Sequence, residues 1–164
     1  MKVILFGLSG SGKSTVGTLL KKRYEFPVLE ADDDVELRYN GVWPAEEHLI
    51  DASFEETNLR VLEMQHVFYI TSWLEKDRIR EFSARGFQII LLVASLEELL
   101  RRRQARDGAY PPALVQRAKK NYRIFRDTIQ EPMISPLFAL TLDMLKTSPE
   151  QAVQRILDLL QSPE

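Results

Sequence analysis

The chain has 164 residues, of which 45% are hydrophobic, a formal net charge of −2 and no cysteine. This length suffices for one domain with its own core, spanning residues 1–164, and the small charge argues against nucleic acid or a membrane as partner. Disulfides and thiol chemistry are excluded, and since neither a signal peptide nor an apolar run of about 18 residues is present, a cytoplasmic protein is expected.

Short apolar runs alternate with helical patterns along the whole chain. Strands are predicted at 2–6, 27–30, 67–71, 87–93 and 138–142. Helices are predicted at 13–23, 33–40, 45–64, 73–85, 95–106, 111–128 and 149–161. The fourth strand is almost wholly apolar, which indicates burial on both faces in a parallel sheet covered by helices. This alternation predicts a single α/β layered domain.

Several helix ends carry recognisable signals. Gly86 follows a basic residue at the end of the fourth predicted helix and is typical of a helix C-terminus. The segments 95–98 (SLEE) and 148–151 (SPEQ) both fit the capping-box pattern at a helix N-terminus. The second also has proline at the first helical position, which strengthens the prediction of a helix start there.

The sequence GLSGSGKS at residues 7–14 fits the phosphate-binding pattern G-x-x-x-x-G-K-[ST] between a predicted strand and a predicted helix. Glycines let backbone N–H groups surround phosphate oxygens, and the helix N-terminus adds partial positive charge. Lys13 is predicted to reach the β- and γ-phosphates, and the Ser14 hydroxyl to ligate Mg²⁺. The predicted ligand is a nucleoside triphosphate with Mg²⁺, held by Ser9, Gly10, Ser11, Gly12, Lys13, Ser14 and Thr15.

An acidic block, EADDDVE at residues 30–36, follows the second predicted strand, at the sheet edge where α/β folds bind ligands. Three adjacent aspartates repel one another, so a cation or a substrate hydroxyl is expected nearby. One of them is predicted to hold Mg²⁺ directly or through water, and another to take the proton from an attacking hydroxyl. The alternative is that one aspartate caps the next helix and the others are solvated.

The arginines of the fifth helix form the third candidate region. Residues 101–106 (RRRQAR) run into a segment rich in glycine and proline, which favours a closing lid at about 102–116. Arg102 and Arg106 lie four residues apart on one helix face and are predicted to cover the migrating phosphoryl group. Arg103 with Arg106 is the competing pair, and simple complements to the helix dipole are the alternative.

The helix before the third strand contains Arg60 and Glu63, three residues apart. They are predicted to hold an acceptor, with Arg60 on a carboxylate or phosphate and Glu63 on a hydroxyl. The alternative is a surface ion pair that contributes little. Trp43 is either a packing residue or part of the wall of an acceptor pocket.

Two other classes of phosphate-binding protein lack support. Neither the D-x-x-G switch nor the [NT]-K-x-D base-reading motif of regulatory GTPases is present. The third strand ends in Thr71 and Ser72, without the carboxylate of motor-type ATPases. A kinase of small molecules, which draws its carboxylates from the end of the second strand, fits the chain.

The whole chain resembles the small kinases of the gluconate kinase and shikimate kinase group, relatives of the nucleoside monophosphate kinases. Residues 7–15 match their phosphate-binding loop, and residues 59–63 resemble the F-R-x-x-E motif of shikimate kinases, with leucine in place of phenylalanine. Residues 105–114 resemble the gluconate kinase lid, A-R-x-G-H-F-M-P-x-x-L. Asp33, eight residues before Gly41, matches the aspartate that contacts the acceptor hydroxyl in this group.

The resemblance implies a three-layer P-loop NTPase fold, with a five-stranded parallel sheet of order 2-3-1-4-5, helices on both faces and a short lid. It implies transfer of the γ-phosphoryl group of ATP to a hydroxyl of a sugar acid or related compound. Asp33, or else Asp32, orients and deprotonates the acceptor, with Asp32 also the candidate near the metal, and the loop 143–148 borders the adenine. The implied partner is a small-molecule acceptor, and the implied state a monomer or homodimer.

The chain also departs from this group. Residues 71–73 (TSW) stand where shikimate kinases have three glycines, and Ala109 stands where gluconate kinases have the lid histidine. This group also carries a D-x-D pattern after the second strand. If Asp33 is the second aspartate of that pattern, Ala31 takes the place of the first; if Asp34 is the second, Asp32 is the first. The alternatives are therefore a nucleotide or nucleoside kinase, and a catalytically silent ATP-binding regulatory protein.

Overall fold

The computed structural model describes residues 1–25 and 27–161, apart from the side chain of Tyr24. Its strands are β1 Lys2–Phe6, β2 Val28–Glu30, β3 Val67–Thr71, β4 Gln88–Val93 and β5 Phe138–Asp143. Its helices are α1 Lys13–Tyr24, α2 Ala31–Arg38, α3 Glu47–Leu62, α4 Lys76–Ala84, α5 Leu96–Asp107, α6 Pro112–Gln130 and α7 Pro149–Gln161, with a 3₁₀ turn at Ser135–Leu137.

The five strands form one parallel sheet in the order β2-β3-β1-β4-β5. The predicted fold class and strand order are therefore confirmed. β1 lies at the centre, between β3 and β4. Because all strands point the same way, their carboxyl ends share one edge, and the loops that follow β1, β2, β3 and β5 meet there.

The sheet is covered on both faces, as the apolar fourth strand predicted. Ile4 and Phe6 belong to one core cluster, which also includes residues of α2, α3, α4 and α6. Val3 and Leu5 belong to the other cluster, which includes residues of α1 and α7. Successive side chains of a strand point to opposite faces, so a strand between two helix layers is apolar at every position.

Three helices begin two or three residues away from the predicted position, and the largest consequence is at α2. This helix begins at Ala31 rather than residue 33, because Ala31 and Val35 are both fully buried one turn apart. α3 is shorter than predicted at each end by two residues. α4 begins at Lys76 rather than residue 73, since Thr71 Oγ1 contacts the backbone of Trp73 in a turn after β3.

The predicted helix-end signals are confirmed. The Glu98 N–H donates to Ser95 Oγ at 3.2 Å. At α7, the Gln151 N–H donates to Ser148 Oγ at 3.2 Å and the Ser148 N–H donates to Gln151 Oε1 at 2.9 Å, which makes a reciprocal capping box. Gly86 has φ of 78° just after α4. None of the helices in the described ranges has the length and apolarity to cross a membrane.

Candidate active site

The glycine-rich loop at residues 7–14, called here the P-loop, connects β1 to α1, and two of its glycines determine its shape. Gly10 and Gly12 have φ of 89° and 97°, a region that side chains disfavour. The Ser11 N–H donates to Leu8 O at 3.0 Å, which closes the turn. A Cβ atom on Gly10 would lie 2.9 Å from Leu99 O, so α5 packs directly on the loop. The loop is therefore held between the sheet and α5.

Lys13, the first residue of α1, extends back along this loop. Its side chain is buried, and Nζ donates to Leu8 O at 3.0 Å. Burial lowers the pKa of Lys13 to about 8, and the nearby carboxylate of Asp32 partly opposes this shift. A phosphate group beside Nζ would favour the charged form again, so the lysine is suited to an anionic ligand.

A cavity of about 370 Å³, called here the P-loop cavity, opens above the loop. The predicted nucleotide-binding residues on its wall are Ser9, Gly10, Gly12, Lys13, Ser14 and Thr15. Ser11 is not on the wall. Its side chain is buried, and its Oγ has no hydrogen-bond partner in the part of the chain that the structure describes.

Ser14 and Glu30 make the strongest candidate metal position. Ser14 Oγ donates to Glu30 Oε2 at 2.8 Å, and both residues line the P-loop cavity. Burial raises the pKa of Glu30. The described residues contain no group of three or more His, Cys, Asp or Glu that could hold a metal ion. One carboxylate and one hydroxyl beside a phosphate site nevertheless fit Mg²⁺, which completes its shell with phosphates and water.

The sequence pattern predicts Asp32 as the carboxylate near the metal and does not single out Glu30. The available signal was its position as the last residue of the second strand, two before Asp32. Glu30 and Asp32 have the spacing of the D-x-D pattern, with a longer side chain at the first position.

The aspartates of α2 face three directions. Asp32 lines the P-loop cavity beside Lys13, and its carboxylate hydrogen-bonds to Ser72. Burial raises the pKa of Asp32, although Lys13 opposes the shift. Asp33 is exposed, as Asp32 is, but it is not on the wall of the P-loop cavity. The structure therefore brings Asp32, and not the predicted Asp33, to the Lys13 ammonium, because burial of Ala31 sets the rotation of the helix.

Asp34 accepts hydrogen bonds from three side chains instead. Thr57 Oγ1 lies 2.6 Å from Oδ2, Arg60 Nη2 lies 2.6 Å from Oδ1, and Arg38 Nη2 lies 3.1 Å from Oδ2. Partial burial acts to raise the pKa of Asp34, but these donors outweigh burial and lower it. This network joins α2 to α3.

Arg60 and Glu63 are not brought together at a cavity. Arg60 is engaged by Asp34, while Glu63 lies 3.3 Å from Arg85 on the exposed surface. Neither residue lines a cavity of the described chain. The reason is that α3 ends at Leu62, just before β3 begins, so these residues lie toward the amino edge of the sheet.

The predicted lid arginines separate into different positions. Arg102 and Arg106 both line the P-loop cavity. Arg102 Nη1 donates to Gly10 O at 3.3 Å and Nη2 donates to Met144 O at 3.0 Å, so it joins the P-loop to the loop after β5. Arg106 pairs with Asp107 at 2.7 Å. Arg103 Nε donates to Ser9 O at 2.8 Å, and both Arg103 and Arg106 lie close enough to Lys13 to lower its pKa.

A second cavity, of about 1200 Å³, adjoins the first. It is called here the tryptophan cavity, because Trp43 and Trp73 both lie on its wall. Ser9, Asp32 and Ser72 line both cavities and so mark their junction. The structure thus supports the interpretation of Trp43 as a pocket residue. The Thr71–Trp73 segment, which replaces three glycines, contributes the serine and the second tryptophan.

Comparisons with known proteins agree with this geometry. A family model described as shikimate kinase matches residues 9–161. A shikimate kinase from Pseudomonas fluorescens (strain Pf0-1) is 27% identical over 165 residues, covering 96% of this chain and 95% of that protein. Because the family model matches most of the chain, family membership follows from it directly.

Two solved structures share the fold. A shikimate kinase from Aquifex aeolicus has a TM-score of 0.71 at 21% identity and covers 98% of this chain and 96% of its own. A gluconokinase from Sinorhizobium meliloti 1021 has a TM-score of 0.65 at 17% identity, with coverage of 97% and 90%. The chain belongs to the shikimate kinase family and is an ATP-dependent kinase of small molecules.

Proposed function

We propose that this chain transfers the γ-phosphoryl group of ATP to a hydroxyl of a small polar molecule bound in the tryptophan cavity. The observation that carries the proposal is the position of Asp32, which lines both cavities beside Lys13 and Ser72. A carboxylate between a phosphate-binding loop and an adjoining pocket is where a phosphoryl acceptor needs its base.

The triphosphate is held in this proposal by Lys13 and by the backbone of the glycine loop at the N-terminus of α1. Ser14 and Glu30 hold Mg²⁺, which supplies neutralisation of phosphate charge when it is bound. Arg102 fixes the loops after β1 and β5 through its two backbone contacts. The loop 143–148 contributes Met144 and Thr147 to the P-loop cavity, in agreement with a place beside the adenine.

Asp32 is the proposed base, in place of Asp33. The acceptor oxygen attacks the γ-phosphorus, so an O–P bond forms while the bond from phosphorus to the β,γ-bridging oxygen breaks and ADP leaves. The acceptor proton passes to the Asp32 carboxylate. Desolvation of its carboxyl group raises the pKa of Asp32, although the residue remains partly open to solvent, and the raised pKa makes the carboxylate a better proton acceptor than an ordinary one.

Arg106 and Arg103 are the proposed cations over the migrating phosphoryl group, since both lie near Lys13. This is the competing pair of the sequence analysis, preferred here to Arg102 with Arg106. The proposed lid remains at about 102–116, where α5 passes into α6 through Gly108, whose φ is 88°. Closure of this segment would bring the guanidinium groups onto the phosphates and exclude water.

The hydroxyl of the predicted sugar-acid acceptor fits this site better than its carboxylate. Arg60, the predicted carboxylate ligand, is engaged by Asp34 away from the cavity. Arg78, on the cavity wall, is already paired with Glu55 and Glu81. We therefore retain a hydroxyl acceptor in the proposal without requiring an acid group on it.

The test compares Asp32→Asn with Asp33→Asn as the matched control, using ADP release and mass spectrometry of products over a panel of polyols, amino sugars, sugar acids, shikimate, nucleosides and nucleoside monophosphates. Loss of the base should lower kcat of Asp32→Asn by about 10²- to 10⁴-fold with ATP binding retained. Asp33→Asn should resemble the parent protein.

Turnover by the parent enzyme should also fall on acidification, as the pH drops through the raised pKa of Asp32, because the protonated carboxyl cannot accept a proton. Equal activity of the two variants would contradict the role of Asp32. Transfer to nucleosides or nucleotides alone would identify a nucleotide kinase, and tight ATP binding without transfer to any acceptor would indicate a silent regulatory protein.

A further inference from the structure

The tryptophan cavity is strongly acidic. Eight carboxylates but only four cationic side chains line it. Three of the carboxylates, Glu47, Asp51 and Glu55, lie four residues apart along α3, so they form one stripe on the face of the helix that borders the cavity. An acceptor in this cavity therefore meets a row of three carboxylates along α3, of which Asp51 has no ion pair among the described residues.

The cations of the cavity do little to offset this charge, because most are already engaged. Arg78 is paired with Glu55 and Glu81. Arg117 lies 4.0 Å from Glu47. Arg103 donates to the backbone of the P-loop, on the phosphate side. The charge of these three arginines is thus either matched by a carboxylate or turned toward the P-loop, which leaves Lys120 as the cation of the cavity wall with no ion pair among the described residues.

Several carboxylates of the cavity have no such partner. Glu36, Asp51 and Glu75 make no ion pair among the described residues, and all three are exposed. A second anion brought near them would be repelled, since charges at a few ångströms still interact strongly near a protein surface. A bound cation would instead be attracted by each of them.

The aromatic side chains of the tryptophan cavity also favour a positively charged ligand. Both tryptophans of the chain line this cavity. Trp43 is 41% exposed, and its ring meets Phe54 edge-on, with centroids 6.5 Å apart. The face of an indole ring attracts cations more strongly than that of any other side chain. Carboxylates beside tryptophan rings are a general means of binding an ammonium group.

We infer that the acceptor is a hydroxyl compound that carries a positive charge, of the amino-sugar or aminocyclitol class. Its ammonium group is held by the α3 stripe, with Asp51 as the unpaired member, and by the tryptophan rings, while one hydroxyl reaches Asp32. The inference rests on the proposed function, because it names the substrate class of the same site.

The first experiment uses two matched sets of probes that differ in charge. One set is glucosamine, glucose and gluconate, and the other is 2-deoxystreptamine, myo-inositol and shikimate. We expect phosphorylation of the cationic member of a set with at least about tenfold higher kcat/KM than that of its neutral and acidic analogues. Asp51→Asn should remove most of this preference, and the control Glu97→Gln, an exposed acid outside both cavities, should retain it.

The second experiment measures the charge of the cavity without a substrate. Since both tryptophans line it, tryptophan fluorescence reports on this cavity, although Trp73 also borders a smaller one. Caesium should quench this emission more efficiently than iodide, relative to free N-acetyltryptophanamide, because a negative potential concentrates cations. The ratio should fall by about twofold in the double variant Glu47→Gln/Asp51→Asn and stay unchanged in Glu97→Gln.

The outcomes separate the two proposals. Preferred phosphorylation of gluconate or shikimate overturns the inference and leaves the proposed function intact, as does a cation preference that persists in Asp51→Asn. Absence of transfer to any acceptor, with caesium-selective quenching, overturns the proposed function and supports the acidic cavity. Quenching by iodide equal to that by caesium overturns the inference whatever the substrates show.

Discussion

Three consecutive aspartates have three different surroundings in this protein. Successive residues of a helix are rotated by about 100°, so Asp32 lies at the junction of the cavities, Asp33 faces solvent and Asp34 accepts hydrogen bonds from α3. If α2 began at residue 33, as the sequence predicts, instead of Ala31, these three aspartates would face other directions. Burial of Ala31 and Val35 decides the rotation, and this depends on contacts far away in the sequence.

Lys13 makes a residue-scale prediction about protons. Burial lowers its pKa to about 8 in the free protein, whereas bound phosphates favour the ammonium form and raise the pKa again. Binding of ATP at about pH 8.5 should therefore take up a proton, in an amount approaching one per site. Titration calorimetry in buffers of different ionisation enthalpy measures this number. Uptake that is unchanged in Lys13→Met would contradict the assignment.

At the scale of elements, Arg102 of α5 connects two loops that lie on either side of β4. Its guanidinium donates to the P-loop at Gly10 O and to the loop after β5 at Met144 O. Glu98, one turn earlier, accepts from its Nε at 2.7 Å and orients it. A side chain of α5 thus joins two of the loops that form the P-loop cavity.

Removing this connection should weaken nucleotide binding. Two hydrogen bonds to backbone carbonyls contribute about 1–3 kcal/mol, so Arg102→Ala should raise KM for ATP by roughly tenfold or more with a smaller change in kcat. Arg101→Ala is the matched control, because Arg101 is exposed and its guanidinium pairs only with Glu98 among the residues that the structure describes. If steady-state kinetics gave the two variants the same KM for ATP, the connecting role of Arg102 would be wrong.

At the scale of the whole molecule, both cavities open at the carboxyl edge of one parallel sheet. The P-loop cavity takes residues from α1, β2, β3 and α5, and the loop after β5. The tryptophan cavity adds α3 and α6, which lie on the other side of the sheet from α1. A ligand in the P-loop cavity should therefore stabilise the molecule as a whole rather than a single segment.

This linkage predicts a stability change on nucleotide and metal binding. ATP with Mg²⁺ at about 100 times its Kd should add about 2.7 kcal/mol to the free energy of unfolding and raise the Tm by roughly 5–10 °C. A chelator should remove part of this shift in the parent protein. In Glu30→Gln the chelator should have much less effect, since one proposed metal ligand is already lost. An unchanged chelator effect in that variant, measured by thermal denaturation, would exclude Glu30 from the metal site.

The amino-acid sequence by itself determined the fold class, the strand order through resemblance, and the place of the glycine loop between β1 and α1. These properties are local: the loop needs its glycines, lysine and serine within eight consecutive positions, and the buried strands need runs of apolar side chains. The helix caps at α5 and α7 are local in the same way: the serine caps both helices as predicted, and the reciprocal bond of a capping box forms at α7.

Only the tertiary structure decided which residues line the cavity that we propose for the acceptor. Asp32 reaches the cavity because α2 is rotated by its contacts with the sheet, and the guanidinium of Arg60 is paired with Asp34 instead of lining either cavity. The acidic stripe of α3 shares a cavity with the two tryptophans only after segments distant in the sequence have packed together. A site assembled from distant segments depends on side-chain direction, and the spacing of residues along the chain does not specify that direction.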